Sequence, residues 1–487
     1  MPDLTRDDRA AHAPAQRSRD RPRDDTPVEH RPVVIVSNRG PVSFTVGEDD
    51  ELVANRGAGG LVSGLRPLVA GTDTLWIAAA MSEGDRRAAS KGIIDAEDHR
   101  IRLVELDPEQ YRMAYDVVSN ATLWFVHHHL FDLARRPRFD TQWRKAWDAY
   151  RAVNFAFAEV VVHESPPDAT VLVQDYHLTL LAPFIAARRP DLRTVHFSHT
   201  PFAAADELRV LPDDVSIVLL ESMAAHDACG FHTARWARAF DHACEEIIGD
   251  TPRSFVSPLA TDHDDIRGVA ASEACARELE WIEEHIGDRL LVARVDRIEL
   301  SKNLLRGFHA FDDLLERYPE WRERVVFGAF VYPSREGLPE YLAYRQEVES
   351  LVQRLNARWG TPGWTPVLFD TSDNFPRSIA ALRRYDALLV NPIRDGLNLV
   401  AKEGPLVNDH DGVLLLSPEA GAWAELGHAS FQVNPFDVSG TADTLHEALS
   451  LPAASRARRS EALRQAAESR TPADWLAEQL ASISTDH

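Results

Sequence analysis

The stretch ALLVNPIRDGLNLVAKEG, residues 387–404, joins an apolar run to a polar turn and then to a renewed apolar spacing. The ALLV run is typical of a buried parallel strand, and the later spacing is typical of a helix. Between them lie Asp395 and Gly396, just beyond the strand's carboxyl end, where doubly wound α/β sheets bind their ligands. The stretch therefore predicts an α/β fold and places one ligand contact within it.

Strand and helix patterns alternate through the rest of the chain. Strand patterns occupy residues 33–36, 170–177, 193–200, 289–296 and 324–331, and amphipathic helix patterns occupy residues 179–189, 303–318 and 340–359. Such alternation is the signature of doubly wound α/β domains. Polar residues follow the strand patterns, as a site at the strand ends requires: Asn38, Arg39, Asp175, His199, Arg294 and Asp395.

The length of 487 residues is too great for one hydrophobic core, so two domains are expected. Residues 1–31 mix Arg, Asp, Pro and Ala without apolar periodicity, which predicts a disordered tail. We place the first domain at residues 32–262 and the second at 263–452, because turn and polar residues separate two α/β series there. Residues 453–487 are expected to form a C-terminal helix that docks back on the first domain.

The composition argues against several classes of function. With 53 Lys and Arg against 76 Asp and Glu, the net charge of −23 opposes binding to nucleic acid or to an anionic membrane surface. No apolar run is long enough to span a membrane. The three cysteines form no CxxC pair and are too few for a disulfide scaffold, which fits a reducing compartment. We therefore expect a cytoplasmic protein, in which a local basic pocket could still hold a small anion.

The turn at Asp395 offers several groups to a nucleotide sugar. Asp395 could accept hydrogen bonds from sugar hydroxyls, because Gly396 leaves room beside it. Glu403 could accept both hydroxyls of a ribose. The alternative is that Asp395 only caps a helix and that Glu403 is a surface residue, solvated or paired with Lys402. The backbone amides that would form a helix N-terminus facing phosphate are those of Leu397, Asn398, Leu399 and Val400.

Two other stretches also suit a phosphate ligand. Arg294 and Lys302 stand near the end of a strand pattern, where they could neutralise a pyrophosphate and stabilise it as a leaving group. The alternative is a solvated basic surface. The glycines of ANRGAGGLVSGL, residues 54–65, would let the backbone approach a ligand, although a tight turn explains them equally well.

The adjacent residues His127, His128 and His129 do not predict a metal site. Adjacent side chains point in different directions, whereas paired metal ligands are two residues apart on strands or four apart on helices. The chain has no GxSxG, Walker or HExxH motif, so acyl transfer, nucleoside triphosphate hydrolysis and zinc proteolysis lack their usual support. A dehydrogenase is also disfavoured, since SNRGPV follows the first strand where GxGxxG would be expected.

A series of short motifs, in order over residues 33–440, resembles the trehalose-6-phosphate synthase family. These motifs are SNRGPV, GAGGL, YDVVSNATLW, QDYHLTLL, HTPF, LRVLP, GFHT, RVD with SKN, YPSR, GWTPV, RDGLNLVAKE and VNPFD. The resemblance implies a GT-B fold, in which an acceptor-binding and a nucleotide-sugar-binding Rossmann-like domain face a central cleft. It implies retaining transfer of glucose from UDP- or GDP-glucose to glucose-6-phosphate, giving α,α-trehalose 6-phosphate. It implies no metal or other cofactor, because cationic side chains and a helix terminus would replace the metal.

The resemblance also implies a role for each matching residue. Arg39, Tyr115, Trp124 and Arg335 would hold the acceptor phosphate, and Asp175 would contact the acceptor sugar. Gly59 and Gly60 would close over the donor, whose glucose would lie beside His199. Arg294 and Lys302 would contact the donor diphosphate, Asp395 the glucose hydroxyls and Glu403 the ribose. The catalytic residues would be Arg294, Lys302, Asp395 and His199.

The chain departs from the family pattern at several points. The segment from Arg294 to Lys302 is three residues longer than the typical RLDYSK arrangement, so we expect a bulged loop between them. KEGPLVND replaces KEYVA and resembles a pseudo-glycosyltransferase that joins cyclitols through nitrogen. The alternatives are therefore a glucosylglycerol-phosphate synthase, a cyclitol-phosphate pseudo-glycosyltransferase and a non-catalytic sugar-phosphate sensor. The nucleotide base and the association of copies into a homo-oligomer stay open.

Overall fold

The computed structural model describes residues 31–47, 49–57 and 60–483. Residues 1–30, which make up nearly all of the predicted tail, lie outside the described residues, as does Gly59 of the predicted donor loop. No helix within the described ranges combines the length and the apolar character needed to cross a bilayer.

Strands and helices alternate along the described chain. The strands are β1 (Val33–Val36), β2 (Val42–Val46), β3 (Leu52–Arg56), β4 (Leu75–Ala79), β5 (Ile93–Ala96), β6 (His99–Val104), β7 (Thr170–Gln174), β8 (Arg193–Ser198), β9 (Ala228–Phe231), β10 (Ser254–Val256), β11 (Leu290–Ile298), β12 (Val325–Pro333), β13 (Val367–Asp370), β14 (Ala387–Val390), β15 (Val413–Leu416) and β16 (Phe431–Gln432).

The α-helices are α1 (Gly60–Val69), α2 (Glu83–Ala89), α3 (Pro108–Arg112), α4 (Trp124–His128), α5 (Thr141–Glu164), α6 (Leu181–Arg188), α7 (Ala205–Leu208), α8 (Asp213–Ala224), α9 (Ala234–Ile248), α10 (His263–Ala270), α11 (Glu273–Ile286), α12 (Leu304–Arg317), α13 (Pro339–Trp359), α14 (Phe375–Arg384), α15 (Val400–Val407), α16 (Trp423–Leu426), α17 (Val438–Leu449), α18 (Ala453–Glu468) and α19 (Pro472–Ala481). A π-helix spans Met113–Leu123, and 3₁₀ turns span Tyr176–Leu178, Leu300–Lys302 and Pro319–Trp321.

The first sheet has eight strands in the order β10-β9-β8-β7-β1-β4-β6-β5. Its neighbouring strands are parallel except for β5 and β6. From β1 the chain builds outward through β4 on one side and later through β7 on the other, so the strand order reverses between β1 and β7. Ligands bind beyond the strand carboxyl ends at such a switch point. Arg39 follows β1 and Asp175 follows β7, so both lie at this point.

The second sheet has six parallel strands in the order β13-β12-β11-β14-β15-β16. Its strand order reverses between β11 and β14. Lys302 follows β11 and Asp395 follows β14, so the second switch point also carries residues that the sequence singled out. The predicted doubly wound α/β fold is confirmed, and the quoted stretch 387–404 does form a strand, a turn and a helix.

The connection from Arg294 to Lys302 contains no bulge, so that expectation is wrong. Strand β11 pairs with β12 without interruption over nine residues, and the chain then turns through the 3₁₀ segment. No residues are inserted, because RIELSK, residues 297–302, has the same spacing as RLDYSK, and Arg297 rather than Arg294 matches the arginine of that arrangement. Strand β11 is as long as β12, and Val295 and Ile298 keep buried apolar positions along it. Their charged neighbours consequently project from a rigid strand.

Residues 453–483 form two helices where the sequence analysis predicted one. Helix α18 packs on the second sheet's core through Leu463 and Ala467. Helix α19 packs against α1, and its Trp475 is buried beside Trp76 of the first sheet. The break occurs because Pro472 cannot continue a helix and the Thr471 hydroxyl caps the next one.

Candidate active site

The turn that follows β14 lies directly against the turn that follows β8. The Trp236 indole N–H donates to the carbonyl oxygen of Gly396 at 3.1 Å. A Cβ atom at Gly396 would overlap the carbonyl oxygen of His199. The neighbouring Leu397 is buried among residues of the first sheet, including Ile35. The carboxyl ends of the two sheets therefore meet around a common cleft.

Ion pairs join the two sides of this cleft. Arg394 donates to Glu207 at 3.0 Å, and Arg235 pairs with Glu419 at 2.7 Å. His129 contacts both members of the first pair. These contacts bring together segments that belong to different sheets, so the two sides of the cleft are in direct contact.

Asp296, Lys302 and Asp395 form a charged group at the second switch point, which we call the Lys302 cluster. Lys302 Nζ donates to Asp395 Oδ2 at 2.6 Å and lies 3.7 Å from Asp296 Oδ1. Burial acts to lower the pKa of Lys302, but the two carboxylates outweigh it and hold that pKa above its ordinary value. The Lys302 ammonium in turn holds the pKa of Asp395 below its ordinary value, against the effect of burial. Lys302 is therefore a permanent cation.

The guanidinium of Arg294 lies beneath the cleft surface and is fully buried. Its Nε–H donates to Asp296 at 3.1 Å and Nη1 donates to Asn391 at 2.7 Å. Nη2 donates to the backbone carbonyl of Lys302. Arg294 thus holds the Lys302 backbone and the segment after β14 in place, and it faces the cleft less directly than Lys302.

The turn between Asp395 and α15 presents backbone amides. Asn398 has φ of 79°, its amide nitrogen donates to Asp395 at 3.1 Å, and its amide oxygen accepts from Ala401 N–H. Within the part of the chain that the structure describes, the N–H groups of Leu399 and Val400 have no hydrogen-bond acceptor. Free amides and the positive end of the helix dipole make this terminus suitable for an anion.

Glu403 lies on the first turn of α15, and its side-chain carboxylate makes no hydrogen bond or ion pair with any residue that the structure describes. Burial, reinforced by the charge of Asp265, raises the pKa of Glu403 to about 7. The alternative, a pairing with Lys402, is absent, because that ammonium donates to Glu425 at 2.9 Å and to the carbonyl of Leu259 at 2.8 Å. A partly buried carboxylate without partners is available to a ligand's hydroxyl groups.

His199 faces the cleft from the first sheet. Its Nε2 lies 3.0 Å from the amide oxygen of Gln174, which can only accept, so Nε2 carries the proton. Burial lowers the pKa of His199 well below its ordinary value, so the ring is neutral and Nδ1 keeps its lone pair. Gln174 is itself held by Gln479 of α19 at 3.2 Å. The C-terminal helix therefore orients this histidine.

Arg39, Tyr115, Trp124 and Arg335 form a second group, which we call the arginine–aromatic cluster. The guanidinium carbon of Arg335 lies 3.9 Å from the centroid of the Trp124 ring, a cation–π arrangement. Arg335 also donates to the hydroxyls of Tyr341 at 2.6 Å and Tyr176 at 3.3 Å. It is thus held rigidly, with its cation beside an aromatic wall.

The π-helix Met113–Leu123 carries Tyr115 and leads directly into α4, which begins at Trp124. The Tyr115 ring stacks between Tyr111 and His177, with centroids 5.6 Å from each. Arg39 is exposed and acts electrostatically on both of these neighbours. π-Helical turns are rare and are frequent at functional sites. Here the wider turn helps to place the aromatic side of the cluster.

Asp175 occupies a strained position at the end of β7, with φ of 71°. Its Oδ1 accepts from the backbone N–H of His199 at 3.2 Å. Burial raises the pKa of Asp175 to about 6, so it is mainly ionised at neutral pH. It therefore offers a carboxylate between His199 and the arginine–aromatic cluster.

His128 links the two clusters. Its ring stacks on Trp124 with centroids 3.8 Å apart. Burial lowers the pKa of His128 to about 3, and the carboxylates of Glu299 and Asp395 both act on it in the opposite direction. The two clusters are therefore neighbours within one site.

The three adjacent histidines have separate partners. The Nδ1 of His127 accepts from Ala203 N–H at 3.1 Å, and the Nδ1 of His128 lies 2.9 Å from the Trp124 carbonyl. Across residues 31–47, 49–57 and 60–483, no group of three His, Cys, Asp or Glu side chains is arranged to hold a metal ion.

Sequence analysis missed several residues that organise the site. Asp296 and Glu299 are buried carboxylates that orient the cations around them, and Tyr176 supports Arg335. The stretch RVDRIE, residues 294–299, could have indicated both acids. Asp296 and Glu299 are three residues apart, so on a strand they point to opposite faces and can each orient a different group of cations. Some partners of these acids are near in sequence, such as Arg294 for Asp296, but the pairing of Glu299 with Arg335 joins different elements and does not follow from the spacing.

Comparison of the sequence with known proteins identifies one family and relatives of that family. The sequence pattern of "Glycosyltransferase family 20" matches residues 31–485. A bifunctional trehalose-6-phosphate synthase/phosphatase from Thermoproteus tenax is 31% identical over 474 residues; the match covers 91% of this chain but only 62% of that protein. The UDP-forming alpha,alpha-trehalose-phosphate synthase of Schizosaccharomyces pombe is 32% identical, with 87% of this chain and 84% of that protein covered.

A solved structure extends the comparison to the fold. A UDP-forming alpha,alpha-trehalose-phosphate synthase from Burkholderia xenovorans in complex with glucose-6-phosphate superposes with a TM-score of 0.80 at 28% identity. The match covers 93% of this chain and 99% of that one. The agreement extends over both sheets and the cleft between them.

Proposed function

Because this chain belongs to glycosyltransferase family 20, we propose that it transfers glucose from UDP-glucose to glucose-6-phosphate, forming UDP and α,α-trehalose 6-phosphate. The fold is GT-B and the enzyme is a glycosyltransferase. The choice of donor is supported by the UDP-forming relative in S. pombe, and the choice of acceptor by the glucose-6-phosphate complex from B. xenovorans.

On the donor side, the diphosphate would lie between Lys302 and the free amides of Leu399 and Val400. Asp395 would accept hydrogen bonds from the glucose hydroxyls, and Glu403 would accept both ribose hydroxyls. The close approach of Gly396 to His199 would place the glucose beside that neutral ring. Arg294 would act as a positioning residue, since its guanidinium already holds the Lys302 backbone.

On the acceptor side, the arginine–aromatic cluster would hold the phosphate of glucose-6-phosphate. Asp175 would accept a hydrogen bond from the acceptor sugar, because its carboxylate lies between that cluster and His199. The acceptor's anomeric hydroxyl would then point toward the donor glucose.

The transfer would proceed with retention and without a protein nucleophile. The acceptor's anomeric oxygen attacks C1 of the donor glucose on the face from which UDP departs, and the bond from C1 to the diphosphate oxygen breaks. The acceptor proton passes to an oxygen of the leaving phosphate. The protein stabilises the growing negative charge through Lys302 and the helix terminus, and it aligns the reactants.

One observation carries this proposal. The arginine–aromatic cluster and the Lys302 cluster lie on one cleft, because the His128 ring stacks on Trp124 of the first cluster and the carboxylate of Asp395 in the second cluster acts on the pKa of His128. A phosphorylated acceptor and a diphosphate donor can therefore be bound with their reacting ends together. None of the chain's departures from the family pattern replaces a residue of the arginine–aromatic cluster or of the Lys302 cluster.

A panel of substrates tests the proposal. The purified protein is incubated with UDP-glucose or GDP-glucose and with glucose-6-phosphate, glucose, glycerol-3-phosphate or a cyclitol phosphate, and nucleotide release is followed. We expect the fastest release with UDP-glucose and glucose-6-phosphate. Faster release with glycerol-3-phosphate would identify a glucosylglycerol-phosphate synthase, and a preference for a cyclitol phosphate would favour the coupling enzyme. Binding without release under every condition would identify a sensor.

We further propose that the reaction needs no metal ion. Lys302, the amides at the start of α15 and the helix dipole supply the positive charge that a metal would otherwise contribute. Treatment with EDTA followed by desalting should therefore leave kcat unchanged. Loss of activity that added Mg²⁺ or Mn²⁺ restores would contradict this.

Donor binding should weaken as the pH falls through 7. Only the ionised form of Glu403 can accept two ribose hydroxyls, and its pKa of about 7 means that this form is lost in that range. UDP-glucose itself does not titrate near pH 7, so its Kd should rise roughly tenfold from about pH 8 to about pH 6. Calorimetric titration without acceptor measures this. Glu403→Gln should bind weakly and show no such dependence; a flat wild-type profile would exclude this role.

A further inference from the structure

We propose that Lys402 is a positioning residue that couples the donor and acceptor sites through the backbone of Leu259. Lys402 lies directly before the proposed ribose contact Glu403, and no step of the proposed mechanism uses it. The coupling rests on the proposed function, because it concerns how the two ligands of that reaction affect each other's binding. We call the parts of the molecule built on the first and second sheets the first and second halves.

The chain crosses from the first half to the second over residues 257–262. This segment joins β10 of the first sheet to α10, which packs against α14 and α15. Leu259 lies within it and is buried in the same apolar cluster as Leu65 of α1 and Phe197 of β8. A Cβ atom at Gly64 would come within 2.9 Å of the Leu259 side chain. A movement of one half against the other therefore acts on a tightly packed residue.

The two backbone groups of Leu259 are bonded to opposite halves. Its N–H donates to Nδ1 of His232 at 3.3 Å, and its carbonyl oxygen accepts from Lys402 Nζ at 2.8 Å. His232 follows β9 in the first half, and its ring packs edge-on against the ring of His199 with centroids 5.1 Å apart. Lys402 belongs to α15 in the second half. Leu259 thus connects the ring beside the proposed glucose site with the helix that carries Glu403.

The protein itself uses all three N–H groups of the Lys402 ammonium. The side chain is almost completely buried, and two of its N–H groups donate to the carboxylate oxygens of Glu425, each at 2.9 Å. The carbonyl of Leu259 takes the third. Replacing a buried ion pair by apolar side chains of similar volume is often neutral or stabilising, so stability alone does not account for this pair. The geometry points to positioning and not to contact with a substrate.

Glu425 extends the connection to the turn that carries Asp395. It lies on α16, and the two residues before that helix bond to the turn. Gly421 N–H donates to the carbonyl oxygen of Asp395 at 3.1 Å, and Ala422 N–H donates to that of Leu397 at 2.7 Å. The Lys402–Glu425 pair therefore fixes both α15 and this turn relative to Leu259. A donor that moves either element would shift Leu259 and, through His232, the first half.

The test is the effect of glucose-6-phosphate on the affinity for UDP, with which it does not react. Calorimetric titration gives the Kd of UDP with and without saturating glucose-6-phosphate. We expect glucose-6-phosphate to lower this Kd about 5-fold or more in the wild type, as is typical of coupled sites, and by less than about 2-fold in the double variant Lys402→Met with Glu425→Gln. The double variant leaves no unpaired charge in the interior, so it should fold.

Two further variants are the controls. Glu425→Gln alone still offers an acceptor to Lys402 and leaves its bond to Leu259, so it should retain the coupling. Arg102→Met with Glu164→Gln removes a cation that also joins a carboxylate to a backbone carbonyl, but within the first half. Arg102 donates to Glu164 at 3.2 Å and to the carbonyl oxygen of Ala89 at 2.8 Å. We expect this variant to have a lower Tm and unchanged coupling.

Three results would overturn the proposal. The first is a UDP affinity in the wild type that glucose-6-phosphate does not change, and the second is full coupling in the folded Lys402→Met, Glu425→Gln variant. The third is an equal loss of coupling in the Arg102→Met, Glu164→Gln control, which a purely structural role predicts. If the methionine variant does not fold, Lys402→Gln with Glu425→Gln takes its place with the same expected result.

Turnover tests the proposed function separately. A wild type that couples the two ligands but releases no nucleotide from UDP-glucose would keep the role of Lys402 and contradict the proposed function. A wild type that forms product while binding UDP equally well with and without glucose-6-phosphate would do the reverse.

Discussion

Replacing Lys302 by alanine should lower kcat by roughly 10²–10³-fold, the usual cost of removing one preorganised group that stabilises developing charge. In the proposed mechanism Lys302 is the cation that the cleft presents to the departing diphosphate, and Asp395 fixes it through a hydrogen bond of 2.6 Å. Its removal also leaves the carboxylates of Asp296 and Asp395 without their shared ammonium, which repels the leaving group further. Initial rates at saturating UDP-glucose and glucose-6-phosphate measure the effect.

Lys302→Arg and Lys145→Ala are the controls for this experiment. The first retains a positive charge and should recover part of the rate, whereas the second removes an exposed lysine on α5 and should have no effect. Thermal unfolding of each variant separates a loss of chemistry from a loss of folding. A Lys302→Ala enzyme that keeps a rate within a factor of a few of wild type would remove Lys302 from the leaving-group role.

Gly396→Ala should lower kcat/KM by about 100-fold, although only one methyl group is added, because small misplacements of reacting groups cost this much. The new Cβ would overlap the carbonyl oxygen of His199, which is backbone and cannot move aside. The two sides of the cleft must then separate, and the turn that carries Asp395 moves away from the first sheet. Both sheets keep their own cores, so the variant should stay folded.

Gly268→Ala is the matched control for this glycine. A Cβ at Gly268 meets no atom within 4 Å, and the residue lies inside α10, where alanine is the better helix former. We expect it to leave activity unchanged and stability equal or slightly higher. Normal kinetics in Gly396→Ala would show that the close approach of Gly396 to His199 is not needed for catalysis.

The sequence predicted the strands that carry the site because buried parallel strands have a local signature. The apolar runs at β1, β7, β8, β11, β12 and β14 were identified, and so were the residues that follow them. The rule that ligands bind beyond strand carboxyl ends then placed Lys302 and Asp395 in one site, and the structure joins them by a hydrogen bond. The family was likewise identified from short motifs in order.

The partners of individual charges could not be predicted in this way. Arg294 and Lys302 look alike in sequence, yet one is buried beneath the cleft and the other faces it. Glu403 lies next to Lys402 in sequence, but that ammonium turns to Glu425, which arrives from another helix. The partner of each charged side chain depends on which distant segments meet in the fold, and the spacing of residues in the sequence does not predict this.

Two features of the backbone, the π-helix and the length of β11, could not be predicted from local sequence patterns. The π-helix at Met113–Leu123 keeps a helical spacing of apolar residues, so nothing in it distinguishes a wider turn from an ordinary one. The length of β11 depends on its pairing with the equally long β12, and only the folded sheet creates that pairing.

The most direct test of the account is the structure of the product. The wild-type enzyme is incubated with UDP-α-glucose and glucose-6-phosphate, and the product is examined by mass spectrometry and by proton NMR of its anomeric centres. The account predicts a non-reducing disaccharide monophosphate with both anomeric centres in the α configuration. A β-linked or reducing product, or free glucose released from the donor, would contradict the proposed retaining transfer to the anomeric oxygen of glucose-6-phosphate.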